Sequence, residues 1–196
     1  MLRRLAAAGC VLVFAFTACD GGDNQNAATD RPATATPAPT PCSIADGTLD
    51  PKRSDTMPEA APLRELRYSQ RSDEGCPRVV FAFADHTPGY LVRYVDGPFS
   101  ECGSGEPVAT DSWDATAYLS VRLEPSGSAD LSKPDAPQTY TGPRDIEVGG
   151  KVLKHLRVIC DFEAVFEWIV AVDEEHKFTV FTLDDPSRIV IDVSET

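Results

Sequence analysis

Apolar and polar residues alternate in short runs along most of the chain after Leu63, and the runs are separated by Gly, Pro, Asp and Ser. Successive side chains of a β-strand point to opposite faces, so this period of two predicts strands, whereas an amphipathic helix repeats its apolar residues about every 3.6 positions. The region contains no convincing amphipathic helix pattern. We therefore predict an all-β fold, a small β-sandwich of roughly seven to nine strands.

The alternation also assigns individual side chains to faces. The clearest predicted strands are residues 78–84, 90–95, 118–124, 152–160, 164–172, 178–183 and 188–193. Turn residues Thr87-Pro88-Gly89 separate the first two strands, so we expect these strands to form a hairpin. Trp168 is in register with Phe166 and Val170, and this places it in the predicted core.

The N-terminus has the pattern of an export signal. Arg3 and Arg4 precede an apolar run from Leu5 to Ala18, whose 14 residues are too few to span a bilayer and are typical of a signal-peptide core. The run ends in Phe16-Thr17-Ala18-Cys19, which resembles the bacterial lipobox. We therefore predict that residues 1–18 are a lipoprotein signal peptide and that Cys19 is the lipidated N-terminus. The alternative is an ordinary secretory signal that ends beside a cysteine.

Residues 20–41 contain no aromatic and no large aliphatic side chain, but five Ala, four Thr and four Pro. Such a segment cannot bury surface, so we predict a flexible tether over residues 19–61 and a folded domain over residues 62–196. The expected location is extracytoplasmic, with the domain anchored to the cell membrane through lipid on Cys19.

The chain carries 31 acidic and 18 basic residues, a formal net charge of −13. Nucleic acids are bound through clustered Lys and Arg that neutralise phosphates, and the chain has no such cluster. Nucleic acid is therefore excluded as an expected partner.

Four cysteines remain once the signal peptide and Cys19 are set aside: Cys42, Cys76, Cys102 and Cys160. An even number in an exported chain predicts two disulfides. Four cysteines allow three pairings, and we favour Cys42 with Cys76, which leaves Cys102 with Cys160. No two cysteines have the close spacing of a zinc site, so no metal is expected.

Four strand-and-turn segments together resemble a known family. They are Arg78-Val79-Val80-Phe81-Ala82-Phe83, Pro88-Gly89-Tyr90-Leu91-Val92-Arg93-Tyr94-Val95, Asp161-Phe162-Glu163-Ala164 and Pro186-Ser187-Arg188-Ile189-Val190-Ile191-Asp192-Val193. Taken together and in this order, the four segments are similar to the AMIN-like domain of secreted and lipid-anchored bacterial proteins. The resemblance covers about residues 62–194. The resemblance implies a small, non-catalytic β-sandwich that directs proteins to the cell envelope through peptidoglycan.

A search for catalytic groups gives no enzyme assignment and no cofactor. His86, His155 and His176 are far apart in sequence, and we expect them in turns or on the surface, with His155 solvated. Ser104 in Gly103-Ser104-Gly105 lacks the spacing of a nucleophile elbow, and its loop is interpreted as a flexible connection. Acidic residues near Ser104, including Glu101, are common in a chain of this charge.

Binding side chains are expected in or beside two Gly/Pro-rich loops, residues 96–113 and 125–140. The candidates are Arg93, Trp113, Tyr118, Arg122 and Tyr140. Aromatic faces stack on sugar rings and Arg binds carboxylates, as in a peptidoglycan stem peptide, although aromatic residues also pack at sandwich edges. The predicted function is a non-catalytic, lipid-anchored envelope protein that binds peptidoglycan or another wall component. The alternative is a protein-interaction module that recruits a secreted or envelope partner.

Overall fold

The computed structural model describes residues 42, 44–55, 59–70 and 76–195. The predicted signal peptide, Cys19 and most of the predicted tether lie outside the described residues. In the described part, no helix has the length and apolar character needed to cross a membrane.

Twelve strands make up the regular structure of the described residues. They are β1 Lys52–Arg53, β2 Leu63–Ser69, β3 Arg78–Phe83, β4 Gly89–Tyr94, β5 Phe99–Ser100, β6 Pro107–Val108, β7 Ala117–Glu124, β8 Asp145–Glu147, β9 Leu153–Phe162, β10 Val165–Val172, β11 Phe178–Leu183 and β12 Arg188–Val193. The all-β prediction is confirmed. Eight of the strands have six residues or more, within the predicted range.

The strands form two main antiparallel sheets. The large sheet has six strands in the order β1-β4-β7-β10-β9-β8, and the small sheet has four in the order β11-β12-β3-β2. A separate two-stranded sheet pairs β5 with β6. The two main sheets bury their facing sides against each other, as expected of a β-sandwich.

The core follows the period-two alternation. Leu119, Val121 and Leu123 of β7 are fully buried, and Trp168 of β10 has no exposed surface. The Trp168 ring makes edge-to-face contact with Phe81 of the small sheet, with ring centroids 6.1 Å apart. The predicted core position of Trp168 is therefore confirmed.

The predicted hairpin of β3 and β4 is wrong. β3 pairs with β2 and β12 in the small sheet, whereas β4 pairs with β1 and β7 in the large sheet. The turn residues carry the chain from one sheet to the other. Alternation determines which face of a strand is buried and does not determine which strand lies beside it.

Both favoured disulfides are present. Cys42 is bonded to Cys76, and Cys102 is bonded to Cys160 near the end of β9. The second bond joins β9 to the segment between β4 and β7, residues 96–116, which we call the cover loop.

Candidate ligand-binding groove

The outer face of the large sheet, directed away from the core, collects the polar side chains of β4, β7, β9 and β10. Their neighbours in sequence are buried in the core, so alternation directs them outward. The strand register places Arg93 opposite Ser120, Ser120 opposite Ile169, and Ile169 opposite Arg157. Three predicted binding residues, Arg93, Tyr118 and Arg122, lie on this one face.

The cover loop folds back over part of this outer face. Its Phe99 and Trp113 pack against Ile169 and Ala171 of β10, which are both fully buried as a result. The Cys102–Cys160 bond and the hydrogen bond from Cys102 N to Ile159 O, 2.9 Å long, hold the loop on β9. The interpretation of this loop as a flexible connection is therefore wrong, because its apolar side chains form a second small core.

His155 lies beneath the cover loop. Its ring stacks on Trp113 with centroids 4.5 Å apart and planes inclined by 8°, and its Nε2 is 2.5 Å from an Asp145 carboxylate oxygen. The side chain is buried, so the expectation of a solvated His155 is wrong. The strand pattern directed it outward correctly, but the sequence does not reveal that a loop covers this position.

The predicted aromatic residues are mostly structural. Trp113 is 5% exposed and Tyr140 is 6% exposed, so neither ring presents a face to a sugar, and the stacking role predicted for them does not fit this structure. Tyr140 packs against Trp168 in the sandwich core, and its hydroxyl donates to the Pro143 carbonyl. Tyr118 is half-buried between Trp113 and Phe99 of the cover loop.

The two predicted arginines remain accessible on the outer face. Arg122 donates to Glu124 at 2.8 Å and lies 3.8 Å from a carboxylate oxygen of Glu167. Arg93 is exposed, and among the described residues it has no ion pair.

A groove of about 450 Å³ lies between the tip of the cover loop, residues 101–104, and the last residues of β9. It forms before β8 begins at Asp145, because β9 beyond Arg157 pairs with β10 on one edge and has no described strand of the large sheet on its other edge. The groove contains the Cys102–Cys160 bond in its wall and is also lined by Arg144 and Arg157. Phe162 lines it with a side chain that is 57% exposed.

Both groove arginines are positioned by carboxylates. Arg144 lies 2.7 Å from Asp161, and Arg157 lies 2.7 Å from Glu101 and also contacts Asp145. Arg157 Nε is buried and has no hydrogen-bond partner among the described residues. Partial burial raises the pKa of Asp145, but hydrogen bonds from His155 and Arg157 and their charges outweigh this effect and hold that pKa below its usual value.

This arrangement suits a ligand that carries carboxylates beside an apolar or sugar surface. A guanidinium binds a carboxylate through two parallel hydrogen bonds, and an exposed phenyl ring stacks on a flat apolar face. Glu101 and Asp161 add acceptors for hydroxyl or amide groups.

The sequence did not single out Arg144, Arg157 or Phe162 as binding residues. Arg157 could have been found, because it lies at an outward position of a predicted strand. Phe162 begins the Phe-Glu-Ala part of a segment that carries the family resemblance. The sequence around Arg144 contains no such signal, since the place of Arg144 in the groove depends on the position at which β8 begins.

One acidic cluster has donor atoms close enough to hold a cation. Oxygen or nitrogen atoms of Asp173, Glu174 and His176 lie within 4.8 Å of one another. The His176 ring, however, already has Asp173 as a partner at 2.9 Å, and the histidine is buried. His176 therefore lies in the turn between β10 and β11, as the sequence predicted, but its side chain is buried in that turn.

Comparison with known proteins identifies the family of the chain. A family model described as the AMIN-like domain matches residues 61–195, and this range includes both main sheets, apart from β1, and the whole groove. No curated protein and no solved structure matches the chain.

Proposed function

Because the chain belongs to the AMIN-like domain family, we propose that it is a non-catalytic, lipid-anchored protein that binds peptidoglycan outside the cytoplasmic membrane. AMIN-like domains are associated with the cell envelope, and two disulfides fit an oxidising compartment. The groove beside Cys102–Cys160 is the site that we assign to the wall ligand.

The observation that carries this proposal is the pair of arginines in the groove. Arg144 and Arg157 face a common cavity beside the exposed Phe162, in a chain whose net charge is −13. A negatively charged chain does not adhere to an anionic wall through bulk electrostatics, so binding must depend on local groups of this kind. The carboxylates of peptidoglycan stem peptides are matching partners for the two guanidinium groups.

A non-catalytic role is supported by the ion pairs that the groove carboxylates form. Hydrolysis of a glycan uses two carboxyl groups, one of them available to donate a proton to the leaving oxygen. Glu101 and Asp161 each lie 2.7 Å from an arginine, so both are engaged in positioning binding groups.

We expect purified peptidoglycan to sediment the mature protein, kept in mild detergent at physiological ionic strength, without any release of soluble wall fragments. The variant R144A/R157A should retain at most about a tenth of this binding, because it removes two charge-assisted contacts. Pelleting followed by gel densitometry measures the bound protein, and reducing-end assays measure fragment release.

The matched control is R67A. Arg67 also pairs with a carboxylate, Glu65, but lies on the small sheet away from the groove. Equal sedimentation of R144A/R157A and R67A would remove the groove from the proposal. Absence of wild-type sedimentation would favour a protein partner instead, and release of fragments would show an enzyme.

The lipid anchor has its own test. We expect cells fed a clickable fatty acid to label the wild-type protein and to leave Cys19→Ala unlabelled, because the lipobox resemblance makes the Cys19 thiol the acylated group. The Cys10→Ala variant is the control, since Cys10 lies within the predicted signal peptide. Equal labelling of Cys19→Ala and the wild type would contradict anchoring at this residue.

A further inference from the structure

A second groove lies on the same outer face, at the opposite side of the large sheet. It has a volume of about 170 Å³ and is formed where β1 and β4 meet β7. Arg53, Tyr90, Arg122 and Glu124 are among the side chains that line it. Arg53 has no ion pair among the described residues, so its guanidinium is available to an incoming anion.

The strand register connects the two grooves. Arg53 lies opposite Leu91, Leu91 opposite Arg122, Arg122 opposite Glu167, and Glu167 opposite Cys160. This row crosses five neighbouring strands, from the second groove at Arg53 to the first groove at Cys160. The cover loop packs on the adjacent part of the face, and the side chains of Arg122 and Glu167 remain 39% and 21% exposed.

The length of this row of residues indicates how long a ligand must be to contact both grooves. Strands of a sheet are about 4.8 Å apart, so the four intervals from β1 to β9 amount to about 19 Å. A single carboxylate or one small fragment fills one groove and does not reach the other. An extended chain that crosses the strands contacts both.

The distribution of arginines also supports a ligand that contacts both grooves. The sequence contains 13 arginines, and five of them line the two grooves or lie on the face between them. These five are Arg53, Arg93, Arg122, Arg144 and Arg157. Arg122, Arg144 and Arg157 already pair with carboxylates of this face, whereas Arg53 and Arg93 have no ion pair among the described residues. A ligand with more than one carboxylate therefore finds unpaired guanidinium groups outside the first groove.

We propose that the two grooves are subsites for one elongated wall chain that carries carboxylates at intervals and lies across the strands of the large sheet. The inference rests on the proposed function of the first groove and adds to it the extent and direction of the ligand. Arg144 and Arg157 bind one carboxylate of this chain in the first groove. Arg53 and Arg122 bind a second carboxylate, further along the ligand, in the second groove. Between the two grooves, Glu167 accepts hydrogen bonds from hydroxyl or amide groups of the ligand.

The test uses soluble peptidoglycan fragments from one digest, separated into a single repeating unit and longer oligomers, with affinities measured by calorimetry on the mature protein. We expect the long fragments to bind at least about tenfold more tightly than the short ones. The variant R53A/R122A should remove this difference and leave the short-fragment affinity within about twofold of wild type. By contrast, R144A/R157A should weaken the binding of both lengths.

A folding control and a graded variant accompany these measurements. R53K/R122K keeps the charge but loses the bidentate geometry, so its long-fragment affinity should fall between wild type and R53A/R122A. Thermal unfolding shows that each variant is folded. If long and short fragments bind equally well and R53A/R122A binds both like wild type, the second subsite is refuted and the first groove stands. If neither length binds, the proposed function fails with it.

Discussion

Removal of the Cys102–Cys160 bond, in the variant C102S/C160S, is expected to lower the free energy of unfolding by about 4 kcal/mol. The bond closes a loop of 58 residues, and the entropy that such a cross-link removes from the unfolded chain corresponds to about this value. It also holds the tip of the cover loop against β9, where the first groove lies. We therefore expect wall binding to fall together with stability.

The matched control for this prediction is C42S/C76S. That bond closes a loop of 34 residues, so its removal should also lower the free energy of unfolding by about 4 kcal/mol. It lines neither groove, so wall binding by the folded variant should stay close to wild type. Denaturant unfolding and sedimentation on the same samples distinguish the two variants. Full wall binding by folded C102S/C160S would show that the cover loop does not shape the site.

Trp168→Ala is expected to lower the free energy of unfolding by about 3–5 kcal/mol. Trp168 is fully buried between the sheets and touches Phe81, Tyr140 and Phe166, so truncation loses apolar burial and leaves a cavity. A domain of this size is typically stable by only about 5–15 kcal/mol, so the variant should unfold at much lower denaturant concentration.

Tyr68→Ala is the aromatic control for Trp168→Ala. Tyr68 lies on β2 at the edge of the small sheet and is 43% exposed, so its removal should change stability by far less. The stabilities of the two variants are compared through their denaturant midpoints, at equal m-values. Similar losses for both variants would contradict the assignment of Trp168 to the centre of the core.

The sequence was sufficient to predict seven of the longer strands, their buried faces and the number of disulfides, because these depend on local alternation and on cysteine number. The favoured cysteine pairing was one of three that the sequence allows. Ile189, Ile191 and Val193 are buried as their spacing requires, and Trp168 is central for the same reason. The pairing of β3 with β12 was not predictable in this way. These strands are separated by about a hundred residues, and alternation contains no information on which strand lies beside another.

The candidate site was predicted only in part, and the reason is the cover loop. Arg93 and Arg122 were identified because they alternate with core residues on exposed parts of their strands. Trp113 and His155 were misjudged because each packs on the other, and residues 42 positions apart give no sign of this contact in the sequence. The groove itself forms only where the start of β8, the tip of the cover loop and the last residues of β9 come together, and these segments are far apart in sequence.

A buried ion pair on the small sheet was also missed. Arg78 donates to Asp192 at 2.5 and 2.7 Å, and the Asp192 side chain has no exposed surface. Each residue falls at an outward position of its strand, where charged side chains are ordinarily solvated. Only the register of β3 with β12 places the two opposite each other.

The central claim is that guanidinium groups of the outer face recognise carboxylates of the wall. The most direct measurement compares sedimentation of the wild-type protein by native peptidoglycan and by peptidoglycan whose carboxylates have been chemically amidated, at physiological ionic strength. Neutral amides cannot form the charge-assisted, bidentate contacts that Arg144 and Arg157 offer. We expect amidation to reduce bound protein at least about tenfold. Equal binding to native and amidated wall would contradict the claim.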